Sequence, residues 1–282
     1  MTRKRHQKSG SGNGIGKIFM ILGVMFLIAS FTVGCDDSIL EGVADDDSFE
    51  AKLEEARIAL DKGEYAKAVD LLTALDNENP GNATIQQYLS NAYAGLAGLD
   101  TFNLLMTIEA LDDSNNSGSI DMMGLILGDS NGLITASQLQ SKLENLENAI
   151  HTLEGISSPN NDHKVQLGLL AVAHISLTLG NIVLEDQGGT SVTLTEDALA
   201  SRYSSGQPAE FSNVSPATLN TSGLTADLGY VGEAVIALDS ISSQDNDLSQ
   251  DFSQFQSDID NDGDGSVSES NLETYINNQI RD

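Results

Sequence analysis

The feature that most constrains this chain is one helical face that recurs three times along it. Within Gly63 to Leu99, Tyr65, Ala68, Leu72 and Leu75 fall three or four residues apart, which places them on a single stripe of a helix. The preceding stretch from Phe49 sets Leu53, Ala56 and Leu60 at the same spacing and stops at Gly63. Asn79-Pro80-Gly81-Asn82 then breaks the second helix, and Tyr88, Ala92 and Leu96 line a third. Ala149, Ile150, Leu153 and Ile156 restate Ala68, Val69, Leu72 and Leu75 at an offset of 81 positions, and the same offset carries Ala92 onto Ala173. Ala234, Val235, Leu238 and Ile241 restate the face once more. A unit of this kind cannot bury its apolar side alone, so successive units must stack. Small residues at Gly63, Ala68 and Ala92 suit points where two helix backbones approach closely.

The best copy resembles the tetratricopeptide repeat family, whose unit is a helical hairpin of about 34 residues. Gly63, Tyr65 and Ala68 match its Gly-Asp/Glu-Tyr-x-x-Ala turn, Pro80 follows the second helix, and Ala92 falls early in the next unit. The resemblance is specific from about residue 48 to residue 99 and suggestive beyond it. It implies an all-α fold of TPR-like helical hairpins, a degenerate α-solenoid interrupted by long loop insertions. An ordinary helical bundle would carry the same stripes. Stacked hairpins leave a concave groove and a bundle does not.

The N-terminus has a different character. Arg3, Lys4, Arg5, Lys8 and Lys17 precede an apolar run from Ile18 to Gly34 that ends abruptly at Cys35, the only cysteine of the chain. A positive segment, a short apolar segment and small residues at its end describe a cleaved export signal better than a permanent span, which needs about 20 apolar residues. Thr32-Val33-Gly34-Cys35 resembles the lipobox of bacterial lipoproteins, although Thr32 stands where leucine is usual. The resemblance implies cleavage after residue 34, acylation of Cys35 and a membrane-anchored protein of the cell envelope facing the periplasm or the exterior. Buried acyl carbons contribute about 0.8 kcal/mol each, so two or three chains hold a protein firmly on a bilayer. Asp36 and Asp37 resemble the inner-membrane retention signal of enteric bacteria. With the thiol acylated, no disulfide is available and stability rests on packing.

The 282 residues carry a formal net charge of −29, from 13 Lys and Arg against 42 Asp and Glu. Loss of residues 1–34 removes five basic residues and no acidic one, which leaves 248 residues at a net charge of −34. Between Arg202 and Arg281 no basic residue occurs. Such a surface repels phosphate backbones and anionic lipid, so nucleic acid is excluded as a partner and a basic protein or peptide is favoured. The expected organisation is a signal over 1–34, an acidic tether over 35–48, a helical domain over 49–245 and a C-terminal helix-loop-helix over 246–282. Polar, glycine-rich insertions are expected at about 112–135 and 186–225, the second with a short strand near Ser191 to Thr195.

The C-terminal loop runs Asp260-Asn261-Asp262-Gly263-Asp264-Gly265-Ser266-Val267 and reaches Asn271 at its twelfth position. It resembles an EF-hand calcium loop, in which oxygens at positions 1, 3 and 5 converge on a hard cation and a glycine at position 6 allows the sharp turn. The resemblance assigns Asp260, Asp262, Asp264, Ser266 through its carbonyl, and Asn271 to calcium. Asn271 replaces the usual bidentate glutamate, so binding is expected only near roughly 10⁻⁴ to 10⁻³ M. A fainter echo begins at Asp113.

No catalytic pattern emerges. His151, His163 and His174 lack metal-binding helical spacing, no Gly-x-Ser-x-Gly elbow or Walker lysine occurs, and the Gly-rich run at 10–16 belongs to the export signal. The chain reads as a non-enzyme, and its resemblance to lipoproteins with tetratricopeptide repeats implies a membrane-anchored scaffold for a protein partner in secretion, pilus or envelope assembly. Its alternatives are a periplasmic binder of small hydrophobic molecules working with a tripartite transporter, and a calcium-stabilised structural surface lipoprotein.

Overall fold

Ser48 opens the first described helix, α1 (Phe49–Asp61), because its side chain accepts a hydrogen bond from the Ala51 amide and satisfies one free N–H of the first turn. In this computed structural model the described residues are 48–99, 133–193, 201–203, 207–241 and 247–279, all within one compact unit. Cys35 with the expected signal, the 35–47 part of the tether, residues 112–132 and the Asp113 echo lie outside them.

Gly63 ends α1 with φ +71°, a left-handed conformation that a side chain resists. The chain turns directly into α2 (Tyr65–Glu78). After Pro80, the Asn82 side chain accepts from the Thr84 and Ile85 amides and starts α3 (Ala83–Leu96). The three helices share one core of Ala56, Ala59, Ala68, Leu72, Leu75, Ile85, Leu89 and Ala92, with Leu53 and Leu60 packed at its margin. Alanines here allow close helix approach. Gly95 of α3 goes further, since a β-carbon on it would stand 2.3 Å from the Tyr65 ring.

Leu96 departs from the expected stripe and lies 38% exposed, because α3 presents Ile85, Leu89 and Ala92 to the hairpin instead. Pro80 and Gly63 sit in exposed turns and act on chain direction, whereas Tyr65 is half-buried.

A second and larger core surrounds α5 (Asn161–Asp186). α4 (Ala136–Glu154) precedes it, begun by a capping box between Thr135 and Gln138, and Asn160 caps α5 in the same manner with His163. α6 (Pro216–Leu219) and α7 (Thr221–Ile241) follow, then α8 (Asp247–Ile259) and α9 (Glu269–Gln279). Packing runs largely in chain order: α1 on α2, α2 on α3, α3 on α4, α4 on α5, α5 on α7 and α7 on α8. The described chain is predominantly helical. α5 is apolar and long enough to cross a bilayer, but its apolar window is 89% buried inside the protein. Its neighbours account for that apolarity.

Ala149, Leu153, Ala173, Ala234 and Leu238 are all buried in this second core. Ile241, the last residue of the third restatement, is 60% exposed at the end of α7. Along α5 and α7 the backbones nearly touch: a β-carbon on Gly168 would lie 2.3 Å from that of Ala234.

The stretch expected as an insertion at 186–225 holds the short strand expected near Ser191 and, beyond that expectation, the start of a long helix. Ser191–Thr193 forms the short strand β2, and its antiparallel partner is β1 (Leu133–Thr135), with Ile134 opposite Val192. α7 starts at Thr221, inside the expected loop, because Leu224, Leu228 and Val231 extend the apolar stripe backward through a Ser- and Thr-rich start.

Candidate functional site

The C-terminal loop joins α8 to α9. Phe252, Phe255 and Ile259 of α8 and Leu272, Tyr275 and Ile276 of α9 are buried, so both flanks are fixed to the core while the loop itself stays in solvent. Val267 is buried beneath it, and its amide donates to Thr225 Oγ1 of α7 at 2.9 Å.

Asp260 organises the turn. Its Oδ1 accepts from the Gly263 amide at 3.1 Å and its Oδ2 from the Gly265 amide at 2.9 Å. Gly265 holds φ +81°, the left-handed turn expected of the sixth loop position. Asp264 Oδ1 accepts from both the hydroxyl (2.6 Å) and the amide (2.8 Å) of Ser266. The Ser266 hydroxyl first, then its amide, holds the Asp264 carboxyl below the usual carboxylate range. It stays ionised at neutral pH.

One oxygen from each of Asp260, Asp262 and Asp264 lies within 4.8 Å of the others. Hard oxygens at that separation fit the span of ligands around a cation with bonds of about 2.3 to 2.6 Å. Asn271 is turned away from this role. It is buried, its Oδ1 accepts from the Ser268 amide at 2.8 Å and also from the Ser268 hydroxyl, and its amide donates to Ser268 Oγ at 3.2 Å. That reciprocal pair starts α9 as a capping box does. Asn271 and Asn261 also bond each other, with Asn261 Nδ2 donating to the Asn271 carbonyl at 2.9 Å. The fit to calcium thus rests on the three aspartates, and the further oxygens it requires would come from the backbone and water.

α9 also clamps an upstream segment. Asn277 Oδ1 accepts from the Ala209 amide at 2.8 Å and Glu273 Oε1 from the Phe211 amide at 2.7 Å. Phe211 is fully buried and meets Tyr203 edge to face.

Inside the larger core lies a polar cluster that sequence reading passed over. His174 of α5 and Asp227 of α7 are both buried, with Nδ1 and Oδ2 2.7 Å apart. Glu147 of α4, mostly exposed, sets its Oε1 3.7 Å from His174 Nε2, an ion-pair distance too long for a hydrogen bond. Burial drives the imidazole pKa down, but the hydrogen bond to Asp227 and the negative charges of Asp227 and Glu147 outweigh it and push the group up to about 9. Burial raises the Asp227 carboxyl, with His174 opposing. The signal was present in the sequence, since His174 interrupts a wholly apolar run and Asp227 sits on the Leu224, Leu228 and Val231 stripe. His163, by contrast, caps α5, and His151 is exposed beside Glu154 at 3.3 Å.

A half-open cleft of about 250 Å³ lies between the end of α4, the start of α5 and α7, with Leu153, Ile156 and Leu167 as its apolar lining. Tyr230 donates to Glu154 across it, and Lys164 pairs with Glu233 at 3.5 Å on its rim. No family model, curated protein or solved structure matches this chain.

Proposed function

We propose that this chain is a lipid-anchored helical scaffold of a bacterial cell envelope, held at the membrane through Cys35 and offering an acidic, TPR-like helical array to a protein partner with basic segments. The observation that carries the reading is the packing of helices in chain order, with equivalent alanines and leucines at successive contacts: Ala68, Leu72 and Ala92 in the first core, and Ala149, Leu153, Ala173, Ala234 and Leu238 in the second. Arrays built this way add surface with each hairpin, which suits recognition of extended peptides or helices. The net charge of −29, more negative still without residues 1–34, favours basic partners and speeds their encounter.

The test has two arms. Cys35→Ser should move the protein from the membrane fraction to the soluble fraction and abolish incorporation of radiolabelled palmitate; unchanged membrane association without acyl label refutes the anchor. In-cell crosslinking of the native protein should give a discrete adduct with one protein. A small hydrophobic molecule retained in native mass spectrometry, with no such adduct, would overturn the scaffold in favour of ligand carriage. The convergence of Asp260, Asp262 and Asp264 supports a second element of the same reading, a calcium ion that cross-links the C-terminal loop.

A further inference from the structure

Both nitrogens of the His174 ring face carboxylates: Nδ1 meets Asp227 Oδ2 at 2.7 Å, and Nε2 points at Glu147 Oε1, 3.7 Å away. An ionised carboxylate only accepts hydrogen bonds, so each ring nitrogen needs its own proton to be attracted rather than repelled. In a singly protonated ring, one buried lone pair would point at an anionic oxygen. Nε2 has no hydrogen-bond partner in the structure, so nothing else compensates that arrangement. The three residues come from three separate helices, α4, α5 and α7, which meet here.

We infer that His174 is a resident imidazolium that clasps α4 and α7 to the central helix through Glu147 and Asp227, and that loss of its proton loosens this three-helix junction. The charged groups around it are Asp227 from α7 and Glu147 from α4, with Glu154 of α4 acting further off on Asp227. Glu147 is 62% exposed, so it links the buried ring to solvent and gives the proton a way in and out. Because the folded-state pKa, about 9, lies above the ordinary 6.5, the stabilisation is complete below about pH 6.5, declines above it and is gone above about 9.

The test is nitrogen NMR of the histidine rings in the purified full protein. At neutral pH the His174 ring should show both nitrogens protonated, and its titration midpoint should lie near 9. Glu147→Gln, at an exposed position that folding tolerates, should move that midpoint down, and the fall in melting temperature between about pH 6.5 and 9 should shrink with it. A ring carrying a single proton at neutral pH overturns the inference, as does a midpoint that Glu147→Gln leaves in place. Asp227→Asn should produce the larger displacement wherever it folds.

Discussion

Replacing Gly95 by alanine pits two effects of similar size against each other. Gly95 lies inside α3, where alanine is favoured by about 1 kcal/mol on helix propensity. Its new β-carbon, however, would stand 2.3 Å from Cδ1 and Cε1 of Tyr65 and 2.6 Å from Cγ. Rotating the ring about its own axis cannot relieve contact with Cγ, so Tyr65 must leave its rotamer or α2 must move off α3. Overpacking of that kind costs roughly 1 to 3 kcal/mol, and because Tyr65 is half-buried it can swing outward. The net expectation is a loss of about 1 kcal/mol, or about 2 to 4 °C in Tm for a domain of this size. Thermal unfolding followed by circular dichroism measures it. In a Tyr65→Ala background, which removes Cγ together with the ring, the clash is absent, so the same glycine replacement should stabilise the protein. If Gly95→Ala raises Tm in the native background, or costs the same with and without Tyr65, the close packing of α2 on α3 is wrong.

Gly168→Ala should cost more than Gly95→Ala, about 2 to 3 kcal/mol, because the obstacle is the β-carbon of Ala234, which has no rotamer to escape into; urea unfolding of the two variants side by side ranks them. Leu72→Ala, at a fully buried site, should cost about 2 to 5 kcal/mol in the same assay. Calcium at roughly millimolar concentration should raise the melting temperature. Asp260→Ala combined with Asp264→Ala should abolish that rise, and a rise that survives the double change would place the cation elsewhere.

The sequence was most readable where side-chain spacing alone decides the outcome. α1 to α3 follow the stripes of Ala56, Ala68, Leu72 and Ala92, and their ends follow Ser48, Gly63 and Asn82. The second core was less legible, because α5 is apolar on every side and so carries no stripe to say what packs where. Polar pairings across it depend on which helices become neighbours, and so the meeting of His174, Asp227 and Glu147 was not readable from spacing. The start of α7 was misjudged because Thr221 to Thr225 has loop-like composition, whereas burial of Leu224 and Leu228 decides its conformation. In the C-terminal loop the three aspartates meet as their spacing implied, but Asn271 is claimed by the start of α9, a competition that only the folded backbone resolves.

The two-strand ladder of β1 and β2 has a consequence for how this protein tolerates change. Leu133 pairs with Thr193, so the first residue of β1 and the last of β2 stand side by side. Three residue pairs, extended by the Ala136 amide donating to the Thr190 carbonyl at 2.9 Å, tie the start of α4 to the segment that follows α5. A proline in either strand, by removing a ladder hydrogen bond, would therefore loosen the surroundings of two helix ends at once.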